Sequence, residues 1–209
     1  MYKAILFDFD GTLADTAPGI VLTMQETFRE LGLTVPTPDA IRQTIGLPLE
    51  DAVQLFGAES KAAVAVYQRL FPACELTHIS IFPHVKETLD TLKAQGIRMA
   101  ICTSRNVESL LSILEKHGIG GYFEAYITGS DRLPAKPAPD MVYAVCQHME
   151  VACDETVLMV GDTTFDIEMG NAAHCTTCAV TYGNHTEQQL QAAHPTHTIH
   201  RFDDLINLL

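Results

Sequence analysis

Basic residues are scarce in this sequence. Lysine and arginine number 13 against 26 aspartates and glutamates, a formal net charge of −13 at pH 7. That balance argues against nucleic acid or an anionic membrane as partner. It leaves room for an anionic substrate where a divalent metal neutralises the site locally. Long apolar stretches are missing too, and no basic segment leads into an apolar one near residue 1, so neither a signal peptide nor a transmembrane helix is expected. The six cysteines (Cys74, Cys102, Cys146, Cys153, Cys175, Cys178) form no disulfide framework and read as free thiols of a cytoplasmic protein. Internal repeats and low-complexity tracts are absent.

What is present is ample core material. Of 209 residues, 47% are hydrophobic and 19% charged, enough for one core of ordinary size with a smaller appendage. Short apolar runs alternate with helical patterns. Residues 3–8 read as a buried strand, followed much later by a helix over 84–96 with Val85, Leu89 and Leu92 on one face. "GIRMAICTS" is a strand, and 106–117 a helix with Val107, Leu110, Leu111 and Leu114 as its stripe. "EAYITG", "TVLMVGD" and "TCAVTYG" are further strands, separated by helices at 139–149 and 165–173. A helix at 186–193, a short strand near Thr198 and a helix at 202–208 close the pattern. This alternation indicates an α/β fold with a Rossmann-like, doubly wound parallel sheet covered on both faces. Residues 17–80 break the rhythm: helical patterns such as Ile20, Met24, Phe28 and Leu31, an Ala/Val-rich run at 61–70, and no convincing strand. We read 1–16 and 81–209 as the core and 17–80 as a small helical cap inserted after the first strand.

In a doubly wound sheet, ligands bind at the carboxyl ends of the strands. Here the first strand ends in Asp8 and Asp10, the second in Thr103, Ser104 and Arg105; the third leads to Lys136, and the fourth to Asp162 and Asp166. Clustered carboxylates cannot all stay ionised unless a cation joins them, and hard oxygen ligands suit Mg²⁺ better than zinc. With a lysine, hydroxyls and backbone N–H groups, the collection makes a pocket for a phosphoryl group. One carboxylate is then free to attack phosphorus, and a second can move the proton. Two aspartates at i and i+2 on a strand share a face.

These residues carry a family resemblance. "DFDGTLADT" at 8–16, "TSR" at 103–105, "AKPAPD" at 135–140 and "GDTTFD" at 161–166 resemble, in order, the four motifs of the haloacid dehalogenase superfamily. The resemblance implies Asp8 as nucleophile and Asp10 as general acid/base. It implies Thr103, or alternatively Ser104, as holder of the phosphoryl oxygens, and Lys136 as their neutralising cation. Asp8, the backbone carbonyl of Asp10, and Asp162 would ligate Mg²⁺, with Asp166 as a further ligand or a carboxylate behind the ligands. Gly11 fits a loop that must approach a phosphate closely.

The insert resembles the helical cap of the subgroup that includes phosphoglycolate phosphatase and β-phosphoglucomutase, and "DTAPG" and "IGLPLEDA" point to the former branch. The implied activity is hydrolysis of a small phosphorylated metabolite, by a monomer or small homo-oligomer, with phosphosugar mutase and inorganic pyrophosphatase as alternatives. A phosphoaspartate signalling domain is a distant one. The stretch "APGIVLTM" lacks the cap histidine of the mutases. Asp10 argues against carbon–halogen hydrolysis, because dehalogenases of the superfamily lack an acid there. Lys61, the one clear cap lysine, lies among charged neighbours and reads as a surface residue.

Two departures stand out: His174 occupies a helix end where the family usually has glycine, and only 103 − 8 = 95 positions separate the first two motifs. Arg105 is a candidate contact for a second anionic group on the substrate, and Arg42 a candidate to reach down from the cap. Cys175-Thr-Thr-Cys178, with His194, His197 and His200 downstream, reads as a buried strand and its edge, not as a metal site.

Overall fold

The computed structural model describes residues 2–209. In chain order the elements are β1 (Ala4–Phe7), β2 (Ala14–Asp15), α1 (Ala17–Glu30), α2 (Pro38–Arg42), α3 (Leu49–Leu55), α4 (Ser60–Cys74), β3 (Ser80–Ile81), α5 (Val85–Ala94) and β4 (Arg98–Cys102). There follow α6 (Val107–His117), β5 (Ala125–Ile127), α7 (Asp140–His148), β6 (Val157–Gly161), α8 (Thr164–Ala172), β7 (Thr176–Val180), α9 (Glu187–Ala192) and β8 (His197–Ile199).

Six strands form one parallel sheet in the order β5-β4-β1-β6-β7-β8. The chain works outward from β1 through β4 to β5, crosses back to β6 on the other side of β1, and works outward again. β1 alternates between two apolar layers, as a strand's period of two requires. Ile5 and Phe7 pack with Leu89 and Leu92 of α5, Ile113 of α6 and Phe202 near the C-terminus. Ala4 and Leu6 face Met141 and Val145 of α7 and Met169 of α8. Helices thus cover both faces, and the expected fold class is observed.

The stripe on α6 is shifted from the expected one. Leu110, Ile113 and Leu114 are buried, whereas Leu111 is 46% exposed, because one residue turns a helix by about 100° and carries it off the i, i+3, i+4 face. Residues Phe202–Leu208 form the expected closing helix, with 3₁₀ geometry. His174 adopts a left-handed conformation (φ 59°), so the turn usually given to glycine is made by histidine.

Helices α1–α4 lie between β2 and β3 and have an apolar centre of their own, with Met24, Phe28, Ile41, Val53 and Tyr67. The chain enters and leaves this unit through a two-stranded antiparallel ribbon that pairs Ala14 with Ile81 and Asp15 with Ser80. The ribbon is too short to have shown as strand in the sequence. Phe28 is fully buried and meets the Phe56 ring edge-on, centroids 6.0 Å apart. Phe28→Ala should cost about 3–5 kcal/mol in urea unfolding, whereas Leu111→Ala should stay within about 0.5 kcal/mol.

Candidate active site

β1 and β6 are neighbours, and the strand order reverses between them. A crevice therefore opens outside their carboxyl ends, and the chain places Asp8 after one strand and Asp162 after the other. The Asp8 backbone N–H donates to the Val160 carbonyl at 2.9 Å, which extends the β1–β6 register to the aspartate itself. Asp8, Asp162 and Asp166 are all buried, and one oxygen of each lies within 4.8 Å of the others. Lys136, 3% exposed, enters this group from the loop before α7. Its Nζ donates to Asp8 Oδ1 at 2.5 Å and to Asp166 Oδ1 at 2.6 Å.

The remaining oxygens of Asp166 and Asp162 also have partners. Asp166 Oδ2 accepts from the Thr163 backbone N–H at 3.0 Å and its hydroxyl at 2.7 Å, so Asp166 ties the lysine to the start of α8. Asp162 accepts from the Thr12 hydroxyl at 3.2 Å, the Asn184 backbone N–H at 2.7 Å and the Asn184 side chain at 2.9 Å. Gly11 has φ +87° and faces the Asp162 carboxylate and Asn184 so closely that a Cβ would collide with both. Only glycine fits there.

Burial raises the Asp8 carboxyl well above the usual carboxylate range, with Asp166 adding to the effect and Lys136 opposing it. Asp162 is pushed up to about 7, first by burial and then by Asp166, against the hydrogen bonds from Asn184 and Thr12. On Lys136 burial works the other way, but Asp166 and Asp8 outweigh it and hold the ammonium charged. Three carboxylates against one ammonium leave two negative charges unmatched if all are ionised. The donor set is hard oxygen only, which fits a divalent cation such as Mg²⁺.

Asp10 lies beside this group, its carboxylate held by Arg105: Nε donates to both oxygens at 3.1 Å, and Nη2 makes a further ion pair. Arg105 is thus turned inward onto Asp10 and onto Glu75, 2.6 Å from its Nη1. The expectation that it meets a second anionic group of the substrate does not match this pairing, because two carboxylates already occupy the guanidinium. Thr103 is fully buried, and its hydroxyl accepts the Arg105 backbone N–H at 3.1 Å. Ser104 donates to the Gly46 carbonyl at 2.6 Å, a direct link from the core to the helical insert. Arg42 and Lys61 are exposed, and Arg42 makes no ion pair among the described residues.

A sequence profile described as haloacid dehalogenase-like hydrolase matches residues 5–180. The chain belongs to this family. A Dickeya dadantii protein named "Probable phosphatase IndB" is 37% identical over 99% of this chain and 93% of its own. The phosphoglycolate phosphatase of Pectobacterium atrosepticum is 30% identical over 99% and 92%. A haloacid dehalogenase-like hydrolase of Bacteroides fragilis superposes with a TM-score of 0.91 at 30% identity, covering 98% of this chain and all of that one. The first two relatives carry the name phosphatase, and the chain is a hydrolase of this family that acts on phosphate esters.

Of the family-motif residues, Asp8, Lys136, Asp162 and Asp166 are in direct contact or within ligand distance of one another, Asp10 is tied to Asp162 through Asn184, and the recorded side-chain contact of Thr103 is with the Arg105 backbone. Two residues of this hydrolase site went unread in the sequence. Asn184 follows β7, and asking of that strand what was asked of the earlier ones would have found it. Glu75 lies between α4 and the ribbon, where no periodicity singles it out.

With divalent metal chelated, folded Asp8 and Asp162 retain protons that the unfolded chain has released above about pH 4. The folded state then binds more protons, so stability falls as pH rises, and the Asp162 part levels off above about 7. Thermal unfolding at about pH 5 and about pH 8 should show wild type losing stability relative to Asp162→Asn as pH increases. A gap that does not change with pH would refute the raised carboxyl.

Proposed function

We propose that this protein is a Mg²⁺-dependent phosphatase of a small phosphorylated metabolite, with 2-phosphoglycolate as the leading substrate, working through an aspartyl-phosphate on Asp8. The observation that carries this reading is the grouping of Asp8, Lys136 and Asp162 at the β1–β6 crevice with Asp10 alongside. Six free cysteines agree with a reducing, cytoplasmic setting. No helix among the described residues is long and apolar enough to cross a membrane.

Asp8 is the nucleophile. Lys136 binds its Oδ1 and leaves Oδ2 without a hydrogen bond from the described residues, so one oxygen is fixed while the other is free to attack phosphorus. Thr103 and the backbone N–H groups after β1 hold phosphoryl oxygens, and Lys136 offsets the charge that builds there. Asp10, entering this step as the protonated acid with Arg105 still bound to its other oxygen, gives its proton to the departing ester oxygen. The O–P bond to the leaving group breaks as the Asp8–phosphorus bond forms. In the second step Asp10 takes a proton from water, whose oxygen displaces Asp8 from phosphorus and regenerates the carboxylate. Asp8, Asp162 and the Asp10 carbonyl would hold Mg²⁺, which supplies charge neutralisation for the phosphoryl group. Asp166 positions Lys136 through their 2.6 Å contact. The unit spanning 17–80 acts as a cap that limits water and selects the leaving group, and its Gly46–Ser104 bond marks where it meets the core.

Phosphate release should be measured with Mg²⁺ and with chelator on 2-phosphoglycolate, pyrophosphate and sugar phosphates. Release should require the metal, favour one compound, and fall by about 10³-fold or more in Asp8→Asn. Absence of release from all compounds would overturn the proposal.

A further inference from the structure

Glu75 presents a problem that packing alone does not explain. It comes from the helical insert, yet its carboxylate is fully buried at the boundary with the core. Burying a carboxylate is unfavourable unless it is paired and hydrogen-bonded. Glu75 has both kinds of partner: Oε1 lies 2.6 Å from Arg105 Nη1, and Oε2 accepts the Tyr67 hydroxyl at 2.5 Å. Its backbone is pressed against α1, where a Cβ on Gly19 would come within 2.7 Å of the Glu75 carbonyl oxygen. The carboxylate therefore has little freedom to move.

Arg105 is the intermediary. Nη1 donates a hydrogen bond to the Ser109 hydroxyl at 2.6 Å and is ion-paired with Glu75, whose Oε1 has no hydrogen bond of its own among the described residues. The planar guanidinium then has one free edge, Nε and Nη2, and that edge grips both oxygens of Asp10. A rigid fork anchored at one end fixes both the position and the plane of the carboxylate at the other.

We propose that Tyr67 and Glu75 of the insert are positioning residues that, through Arg105, set the orientation of Asp10 for proton transfer to the leaving oxygen. The proposal rests on the reading of Asp10 as acid/base. It means that the insert contributes to the chemistry and not only to enclosure. Its signature is dependence on the leaving group: an alkyl ester needs its oxygen protonated as it departs, whereas p-nitrophenolate departs readily without a proton.

The experiment compares kcat/KM, which covers steps through leaving-group release, for p-nitrophenyl phosphate and for the best alkyl phosphate of the panel. Wild type, Glu75→Gln, Glu75→Ala and Tyr67→Phe would be tested, with Asp8→Asn as control. For Glu75→Ala, the alkyl ester should lose about tenfold more than the aryl ester. Glu75→Gln, which keeps shape and an acceptor, and Tyr67→Phe should show the same bias to a smaller degree. Equal losses on the two esters, or losses only in KM, would overturn the positioning role while leaving the phosphatase reading intact. If wild type hydrolyses neither ester, the phosphatase reading falls, and this proposal with it.

Discussion

Like charges forced together out of water are the constraint on which the site depends. Asp8, Asp162 and Asp166 come within 4.8 Å of one another, and among the described residues Lys136 is the one cation that touches the group. An arrangement so far from electrical balance survives because a packed scaffold imposes it. β1 and β6 are locked in register through four residue pairs, Asp8 and Asp162 follow as direct continuations of those strands, and Asp166 comes from the first turn of α8. The scaffold supplies the force, and the carboxylates supply a standing demand for positive charge. A hard divalent cation is the kind of ligand that would answer that demand.

A second charged group is built on the opposite principle. Around Arg105 the carboxylates of Asp10 and Glu75 share one guanidinium, and hydroxyls of Ser109 and Tyr67 fill remaining valences. The burial that works against the arginine's charge is outweighed by these two carboxylates, and the group stays ionised. One cluster is therefore incomplete without a ligand, whereas the other is close to complete within the protein. The difference separates groups that bind from groups that hold other groups still.

The sheet was legible in the sequence because its strands are continuous apolar runs buried on both faces, and because the chemistry-bearing residues follow those runs directly. Asp8, Thr103 and Asp162 are all of this kind, whereas Lys136 comes from the loop that follows β5. Leu111 was misassigned because a run of leucines does not by itself say where the face of a helix ends. The β2–β3 ribbon escaped notice since two residues per strand carry no periodicity. Glu75 was hidden for a deeper reason: its partner lies 30 positions on in Arg105, across the insert–core boundary, and local pattern holds no record of a contact made by folding. Arg105 itself was noticed as a charge near the site, but the sequence could not say that its charge was already taken.

The two-residue ribbon also bears on how such a protein can vary. Asp15 and Ser80 are far apart along the chain yet paired in space. To the sheet, everything between them is one closed loop whose ends already meet. Closing a longer or shorter loop across the same pair changes the entropy only with the logarithm of its length. The intervening helices can therefore be lengthened, shortened or exchanged at small cost to the core, provided the ribbon survives and something replaces Glu75. The helical unit and the parallel-sheet core then lie on either side of a ribbon only two residue pairs long, free to diverge at different rates.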